Sequence, residues 1–333
     1  MRPIFRASAG GLAVLALAMT AQAETVKIAE VKTTAAGALY IADARGYFAA
    51  EGIEPKFIDF DSPGPVPLAV VSGSADIGST GVSAELYSLA KQGVVKIIAG
   101  QAHEAKGYQV NAFLVSNAAS AAGLKRFDQL AGHTVAISQI GSPVHYAASQ
   151  VALKNGVAPE RLRFLPLQSN SNIISAVTGG TADAGVVPVN VSAAALARGD
   201  MKLLGFVGDQ VQWQSSAVFI APKTGSDRGD MVRRFLVALR RGLVDFHAAF
   251  SAPDGTRRDG PTAPAILAIL VKWTGLTEAQ VRAGIPYVDP QARLDFASMA
   301  DQLDWFIQQK MLKGPVTVDD VIDRRFARGL PDD

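Results

Sequence analysis

Apolar residues follow two alternating patterns along most of this chain. Short apolar runs of strand length alternate with longer stretches in which apolar residues recur every three or four positions, the spacing of one helix face. In the first part of the chain, the predicted strands are residues 26–31, 55–60, 75–78 and 94–99. The predicted helices between them are residues 37–50, 67–72 and 83–91. This alternation predicts an α/β fold with a largely parallel sheet.

A second cycle of the same kind begins near Leu130. Its predicted strands are residues 134–137, 163–167, 182–186 and 202–205, and its predicted helices are residues 144–155, 173–178 and 192–198. The rest of the chain is mainly helical and includes a long amphipathic segment at residues 231–250. A chain of this length with two such cycles predicts two domains of ordinary size.

A short internal repeat relates the two cycles. The sequences 69-AVVSGSADIG-78 and 176-AVTGGTADAG-185 are identical at six of ten positions. Each predicts a helix end, an Ala-Asp turn and a strand in the same order, so we expect two related lobes. Extended segments at residues 112–116 and 217–221 would link these lobes. The predicted boundaries are residues 24–114 and 217–333 for the first lobe and residues 115–216 for an inserted second lobe.

The N-terminus has the composition of a secretory signal peptide. Arg2 and Arg6 precede an apolar stretch at residues 10–19, and Ala21-Gln22-Ala23 forms an A-x-A cleavage site. We therefore expect residues 1–23 to be removed and the mature chain to reside in a bacterial periplasm. No later segment is long and apolar enough to cross a membrane, which takes about 20 residues.

The charge balance narrows the classes of partner. Loss of Arg2 and Arg6 from the 32 basic residues leaves them equal in number to the 30 acidic residues. A net charge near zero argues against nucleic acid or a membrane surface as a partner. The chain has no cysteine, which excludes disulfides, thiolate catalysis and cysteine metal sites. The four histidines do not follow a metal-binding spacing, so no metal and no cofactor is predicted.

The junction at residues 137–156 carries the most specific chemical signal. Ser142 is a good N-cap, and Pro143 suits the first helical position, where no N–H is needed. The first N–H groups of a helix have no partner within it and can donate to a side-chain cap, to water or to an anion. Two interpretations stay open at this point, a helix that Ser142 caps by itself and a junction that binds an anion.

Other predicted strand-to-helix junctions share one composition. They are rich in Ser, Thr, Gln, Asn and Gly and contain one cation, Lys32. Ligands of open parallel sheets bind beyond the carboxyl ends of the strands. Hydroxyls, amides and free backbone N–H groups there would suit a small anion bound without a salt bridge. The predicted ligand-binding residues are Thr33, Thr34, Ser62, Ser79, Thr80, Gln101, Gln139, Gly141, Ser142, Val144, His145, Asn190 and Trp213.

Several of these residues have a structural alternative. Ser79 and Thr80 could cap the helix that begins near Ser83, and Ser62 could shape a proline-rich turn. Trp213 could pack at a rim. Asp76 and Asp183 resemble a catalytic carboxylate pair, but their shared turn context predicts hydrogen bonds to nearby backbone.

Longer motifs resemble a known family. These motifs are 37-GALYIADARGYFAAEGIEP-55, 129-QLAGHTVAIS-138 running into 141-GSPVHY-146, and 319-DDVIDRRF-326. Together they resemble the nitrate/sulfonate/taurine-binding branch of ABC-transporter solute-binding proteins. The resemblance implies a type II-like periplasmic-binding-protein fold, with two α/β lobes, each a mainly parallel sheet flanked by helices, joined by two hinge strands.

The resemblance also implies a function. A monomer would close on a small organic anion, such as a sulfonate, and deliver it to an ABC permease with its ATPase subunits. Because some relatives bind aromatic carboxylates or thiamine-precursor pyrimidines, these compounds are alternative ligands. A secreted hydrolase is the enzyme alternative, but Val144 stands where a G-x-S-x-G elbow would need glycine. We therefore expect a binding protein and not an enzyme.

Overall fold

The computed structural model describes residues 23–331. The predicted signal peptide lies outside these residues except for Ala23. Within them the chain forms ten strands, which are β1 (Glu24–Val31), β2 (Ile53–Phe60), β3 (Ile77–Gly81), β4 (Lys96–Glu104), β5 (Asn111–Ser116), β6 (Thr134–Ile137), β7 (Arg163–Pro166), β8 (Ala184–Pro188), β9 (Met201–Phe206) and β10 (Trp213–Ile220).

The α-helices of the same residues flank these strands. In chain order they are α1 (Gly37–Ala44), α2 (Tyr47–Ala50), α3 (Pro65–Val71), α4 (Ala84–Lys91), α5 (Asn117–Ala121), α6 (Pro143–Lys154), α7 (Asn170–Thr178), α8 (Val189–Arg198), α9 (Pro222–Asp227), α10 (Gly229–Phe250), α11 (Ala263–Thr274), α12 (Glu278–Ala283), α13 (Phe296–Gln308) and α14 (Val318–Val321). Short 3₁₀ turns lie at Thr34–Ala36, Phe127–Gln129 and Pro159–Arg161.

Two five-stranded sheets organise the molecule. Their strand orders are β2-β1-β3-β10-β4 and β7-β6-β8-β5-β9. In each sheet four strands run in one direction, and the fourth strand in the order, β10 or β5, runs antiparallel to both of its neighbours. We call the part built on the first sheet the first lobe and the part built on the second sheet the second lobe. The predicted α/β fold with mainly parallel sheets is confirmed.

The internal repeat occupies the same place in both sheets. It spans α3 to β3 in the first lobe and α7 to β8 in the second, and β3 and β8 are both the central strands. The Asp76 carboxylate accepts a hydrogen bond of 2.8 Å from the backbone N–H of Lys27, and the Asp183 carboxylate accepts one of 2.8 Å from that of Thr134. Both carboxylates bind backbone N–H groups, but the prediction that this bonding is local is wrong, because the partners lie on the neighbouring strands β1 and β6, 49 residues away along the chain.

The connections between the sheets differ from the prediction. The chain passes from β4 to β5 at residues 105–110 and from β9 to β10 at residues 207–212. We call these segments the two crossovers. The segments predicted as links, residues 112–116 and 217–221, instead belong mostly to β5 and β10, the antiparallel strands within the sheets. Extended sequence predicts a strand, but only long-range pairing decides which sheet receives it, and this pairing begins a few residues before the predicted lobe boundaries.

Aromatic side chains join the two lobes next to the crossovers. The ring of Tyr146 on α6 packs against Trp213 at 5.2 Å, Trp305 at 5.4 Å and Phe306 at 5.9 Å between centroids. Trp305 and Phe306 lie on α13, a helix of the C-terminal region that otherwise covers the first lobe. The apolar core is therefore continuous between the lobes on this side, and the cleft described below lies beside it.

Candidate functional site

A narrow cleft of about 160 Å³ lies between the lobes, beyond the carboxyl ends of the parallel strands. The first lobe contributes loops after β1, β2 and β3 and the start of β10. The second lobe contributes loops after β6, β7 and β8 and the start of β5. This is the position that open α/β sheets leave for a ligand. The residues that line it include Thr33, Asp61, Ser62, Asn111, Ser138, Val144, Gln168, Ser169, Asn170, Trp213, Ser215 and Ser216.

Helices of the second lobe point their N-termini at this cleft. Val144 follows the first residue of α6, and Asn170 is the first residue of α7. The backbone N–H groups of both residues have no hydrogen-bond partner within the part of the chain that the structure describes. Unpaired N–H groups and the positive ends of two helix dipoles make this wall attractive to negative charge or to acceptor oxygens.

A smaller recess of about 30 Å³ opens from the floor of the cleft into the first lobe. It shares Thr33, Gly81 and Ser216 with the cleft. Thr80 and Gln101 lie in its wall with only 4% and 2% of their surface exposed. The Thr80 hydroxyl and the Gln101 amide nitrogen have no hydrogen-bond partner among residues 23–331. Two residues with buried, unpaired donors therefore line one recess.

Ser79 holds the Gln101 side chain in this orientation. Its hydroxyl donates to Gln101 Oε1, which leaves the amide nitrogen as the free end. The alternative prediction that Ser79 or Thr80 caps α4 is wrong, because the hydroxyl of Ser83 performs that role by accepting from the Leu86 N–H at 3.2 Å. The structure thus brings Thr33, Ser79, Thr80 and Gln101 together at one end of the cleft.

Ser142 caps α6 as one interpretation of the sequence predicted. Its hydroxyl accepts from the His145 N–H at 3.3 Å. The preceding residue, Gly141, has φ +78°. Its carbonyl accepts a hydrogen bond of 3.0 Å from the N–H of Ala84 in the first lobe. Gly141, Ser142 and Gln139 line a groove of about 60 Å³ at the mouth of the cleft, and Ser62 lines both this groove and the cleft. The junction therefore faces the groove between the lobes, with Val144 as its residue in the cleft wall.

Gln139 lies at the same mouth. Its amide donates to Gln168 Oε1 at 2.9 Å, and its oxygen lies near Gly64 of the first lobe. Gln168 adopts φ +67°, a left-handed conformation that is uncommon for a residue with a side chain. The pair therefore covers the edge of the cleft from the second lobe.

His145 lies away from the cleft and packs in the core. Its ring contacts Phe164 at 4.4 Å and Trp305 at 5.3 Å between centroids, and its Nδ1 accepts from the Gly141 N–H at 3.0 Å. Burial lowers the pKa of His145 to about 4, so the ring is neutral at pH 7. The predicted contact between His145 and the ligand is absent from this geometry, because His145 lies on the inward face of α6, where its side chain packs among apolar residues.

Thr34 and Asn190 also lie outside the cleft lining. The Thr34 hydroxyl donates to the Gly284 carbonyl at 2.5 Å, and the carbonyl of Asn190 accepts from Gln280 at 3.2 Å. Both partners belong to the C-terminal region around α12. These two residues therefore help to hold α12 against the first lobe and α8, respectively.

The charge of the cleft differs from the expectation in one respect. Lys32, the cation at the predicted junctions, forms an ion pair with Asp59 at 3.3 Å and does not line the cleft. Among the described residues that line the cleft, Asp61 is the one charged side chain. The cleft thus offers hydrogen-bond donors, helix N-termini and one carboxylate, without a guanidinium or ammonium group.

The list of predicted ligand-binding residues omitted several lining residues, namely Asp61, Ser138, Gln168, Ser169 and Asn170. Three further lining residues, Asn111, Ser215 and Ser216, lie at none of the predicted strand-to-helix junctions. They stand at the starts of β5 and β10, the strands that follow the crossovers. The rule that ligands meet the carboxyl ends of parallel strands points away from strand starts. The reversed direction of these two strands was the missing information, and it follows only from their pairing.

Two further searches concern the described residues only. None of their helices is both long and apolar enough for a membrane span. None of their histidine and acidic side chains form a group of three or more that could bind a metal ion.

Comparisons with known proteins agree with the fold. The model of the family described as NMT1/THI5 like matches residues 33–254. No curated protein matches the sequence significantly. Among solved structures, the alkanesulfonate-binding protein SsuA from Xanthomonas axonopodis pv. citri, bound to MOPS, superposes with a TM-score of 0.71 at 19% identity, covering 90% of this chain and 98% of that one.

Two further solved structures are similar. The periplasmic aliphatic sulphonate binding protein SsuA from Escherichia coli has a TM-score of 0.70 at 17% identity, with 93% of this chain and 94% of that one covered. The periplasmic nitrate-binding protein NrtA from Synechocystis PCC 6803 has a TM-score of 0.67 at 15% identity, with 90% and 86% covered. At these identities the likeness establishes a shared fold, that of periplasmic binding proteins.

Proposed function

Because the chain belongs to the NMT1/THI5-like family and has the periplasmic binding protein fold, we propose that it is the solute-binding component of an ABC importer. It captures a small organic anion between its lobes in the periplasm and delivers it to a membrane permease. The two lobes close on the ligand by a hinge movement, which the ligand favours by bridging donors of both lobes.

The recess in the first lobe is the observation that carries this proposal. A buried donor without a partner costs about 1–3 kcal/mol. Thr80 and Gln101 both have such donors, and both residues line the same small volume. A ligand with acceptor oxygens would satisfy them together. We infer that its anionic head group enters the recess and that its organic part fills the cleft beside Trp213 and Pro143.

The donor set also fits the class of ligand. A sulfonate has three acceptor oxygens and a diffuse charge, which hydroxyls, amides and helix N-termini can bind without a salt bridge. Each hydrogen bond to a charged group contributes about 1.5–3 kcal/mol. A few of them, less the entropy of ordering, are consistent with micromolar binding, about −8 kcal/mol. Sulfonate binding by the two similar SsuA proteins supports the same class.

Asp61 favours a second candidate ligand. It is the one charged side chain in the described cleft lining, and it would attract an amino group. An aminopyrimidine of the thiamine-precursor type would place its amine at Asp61 and its ring against Trp213. An aromatic carboxylate would use the recess but gain nothing from Asp61.

Binding without catalysis fits the polar groups near the cleft. Ser142, the candidate nucleophile of a hydrolase, caps α6 with its hydroxyl. His145, the nearest candidate base along the chain, has its Nδ1 occupied by the Gly141 N–H. Three similar solved proteins are described as binding proteins.

A ligand screen on the Thr80→Val variant tests the proposal. Thermal unfolding of residues 24–333 is measured with alkanesulfonates, taurine, nitrate, aromatic carboxylates and aminopyrimidines, since a ligand that binds the native state stabilises it by RT ln(1 + [L]/Kd) and so raises Tm. We expect a sulfonate to stabilise the wild type and Thr80→Val to raise its Kd about 10-fold or more, from the loss of one charge-assisted hydrogen bond.

Thr25→Val is the matched control, because Thr25 lies at the far end of β1 from the cleft. Wild-type affinity in the control and reduced affinity in Thr80→Val support the recess. Equal affinity in both variants would show that the recess is not part of the binding site. If no compound of the panel stabilises the protein, solute binding itself is contradicted. Preference for an aminopyrimidine would select the second candidate.

A further inference from the structure

A buried carboxylate lies where both crossovers meet the sheets. Glu104 ends β4 before the first crossover, Asn111 begins β5 after it, and Trp213 begins β10 after the second crossover. One carboxylate oxygen of Glu104 accepts from the backbone N–H of Asn111 at 2.7 Å. The other oxygen accepts from the Asn111 side-chain amide at 2.9 Å and from Trp213 Nε1 at 3.2 Å. Glu104 therefore holds one residue of the cleft lining from each lobe.

Glu104 acts on the cleft through Asn111. Its own side chain is fully buried, whereas Asn111 lines the cleft and is 6% exposed. The Asn111 amide nitrogen donates to Glu104, and the amide oxygen has no hydrogen-bond partner among residues 23–331. While Glu104 is ionised, the free end of this amide is thus an acceptor, which does not suit an anion.

The surroundings of Glu104 distinguish its two protonation states. All three of its partners are N–H donors, so a proton on the carboxyl group would compete with one of them. Burial raises the pKa of Glu104 to about 7, because the loss of hydration outweighs the hydrogen bonds from Asn111 and Trp213, which lower it. Both protonation states are therefore populated near neutral pH.

The Glu104 side chain has little room to respond to a proton by moving. Gly208 of the second crossover packs against the first, and a Cβ atom added to it would lie 2.6 Å from the Ala105 carbonyl oxygen and 3.1 Å from Glu104 Cγ. The Asn111 amide can respond, because rotation about its terminal C–C bond exchanges Oδ1 and Nδ2. After this rotation Oδ1 accepts from the protonated Glu104, and the free end of the amide becomes a donor.

We propose, on the premise of the solute-binding function above, that Glu104 is a positioning residue whose protonation state sets which end of the Asn111 amide is presented to the cleft ligand. An anion in the cleft binds with uptake of a proton from solvent by Glu104. The protonated form removes a negative charge from beside the ligand and offers Asn111 Nδ2 to it, so both effects favour the anion. Affinity for an anion therefore rises as the pH falls through the range in which Glu104 titrates.

Other titratable groups lie around Glu104. On its own strand, burial lowers the pKa of His103. On the second crossover, Asp209 accepts from the Gly107 N–H at 3.2 Å. A cavity of about 810 Å³ behind Glu104 is lined by further titratable side chains, namely Lys106, Tyr108, Asp254, Arg257, Tyr287 and Asp295. Asp61 lies in the cleft, and the buried Glu30 accepts from Tyr40 in the first lobe. These groups are common to the wild type and to a Glu104 variant, so a comparison of the two isolates Glu104.

Calorimetric titration with butanesulfonate between about pH 6 and pH 8 tests the proposal. The wild-type Kd should rise several-fold across this range, and titrations in two buffers of different ionisation enthalpy should show proton uptake. Glu104→Gln has the acceptor and donor ends of a protonated glutamate, so its Kd should stay near the wild-type value at the lowest pH, without proton uptake. Glu54→Gln, on an exposed position of β2, removes the same charge and should behave as the wild type.

Two further measurements separate positioning from charge alone. Asn111→Ala removes the amide, so it should weaken butanesulfonate binding more at low pH than at high pH. In the free protein, protonation of Glu104 weakens the acceptor of the Trp213 N–H. Tryptophan emission of the wild type should therefore change over the same pH range, and the difference from Glu104→Gln should show this titration.

Equal pH dependence of the Kd in the wild type and Glu104→Gln would overturn the proposal, as would wild-type binding without proton uptake, a measurement that needs no variant. Equal weakening of Asn111→Ala at all pH values would refute the turn of the amide. If emission titrates as expected but butanesulfonate does not bind, the sulfonate ligand of the proposed function is wrong, whereas the effect of Glu104 on its partners is supported. Absence of the emission titration would refute that effect whether or not the sulfonate binds.

Discussion

His145 shows how one buried residue shapes the acid stability of the protein. Apolar rings surround its imidazole, so the neutral form is favoured and its pKa falls to about 4, against 6.5 in an unfolded chain. Between these values the unfolded state binds a proton that the native state does not. Stability from this group is therefore present above pH 6.5 and is lost as the pH falls towards 4.

Two buried glutamates act in the opposite direction. Burial raises the pKa of Glu30 to about 8 and that of Glu104 to about 7, against 4.5 when unfolded. Their contribution to stability is present below pH 4.5 and is lost as the pH rises through 7 and 8. The net pH profile therefore combines opposing slopes, and a single group must be isolated by comparison of variants.

We predict that His145→Asn flattens the acid side of this profile. The difference in unfolding free energy, wild type minus variant, should decrease as the pH is lowered from 6.5 to 4.5. The decrease should be up to about 1.4 kcal/mol per pH unit. Urea denaturation of both proteins at several pH values measures the difference, in which the glutamate contributions cancel. A difference that does not change with pH would show that His145 titrates as in the unfolded chain.

Elements meet closely where β3 faces α6 across the cleft. A Cβ atom added to Gly81 would lie 2.7 Å from Pro143 Cγ, which is closer than van der Waals contact permits. Gly81 does not adopt a left-handed conformation, so its role is the small volume that allows the lobes to approach. Pro143 in turn has its place at the first position of α6, where its missing N–H leaves no donor unpaired.

We predict that Gly81→Val holds the lobes apart. The variant should fold with nearly normal stability in denaturant but raise the Kd of the cleft ligand at least 10-fold, because closure would require Pro143 to move. Gly229→Ala is the control, since its nearest neighbours lie 3.9 Å from an added Cβ. Wild-type affinity in Gly81→Val, measured by calorimetry, would contradict a role for this contact in closure.

At the scale of the whole molecule, the C-terminal helices connect the two lobes. Tyr146 is 5% exposed and packs between Trp213, Trp305 and Phe306. Trp305 also contacts His145, so α13 packs on the face of α6 that points away from the cleft. This side of the molecule is held by aromatic packing, whereas the cleft side is held by a few polar contacts.

We predict that Tyr146→Ala destabilises the protein by about 3–5 kcal/mol, the range for removal of a large buried aromatic side chain. It should also separate the unfolding of the lobes, so that thermal transitions followed by tryptophan fluorescence and by far-UV circular dichroism no longer coincide. Leu153→Ala on the exposed side of α6 should change stability by less than about 0.5 kcal/mol. Equal effects of the two variants would contradict the role of this contact.

The sequence by itself determined the local features of this protein. Periodicity predicted the alternating elements, Ser142 and Pro143 predicted the start of α6, and the repeat placed Asp76 and Asp183 in equivalent turns. These features depend on residues close together in the chain, whose preferences are set by backbone geometry, helix caps and the spacing of apolar side chains. The motifs that resemble binding proteins predicted the family for the same reason, since they are contiguous.

Only the tertiary structure decided which side chains meet. His145 and Val144 are adjacent on α6, yet one packs in the core and the other lines the cleft. Ser215, Ser216 and Asn111 entered the site because β5 and β10 run antiparallel to their neighbours, which no local signal indicates. Thr80 and Gln101 lie far apart in sequence and share a recess because β10 brings β3 and β4 together. Long-range strand pairing and the packing of helix faces made these choices, and both depend on contacts between distant parts of the chain.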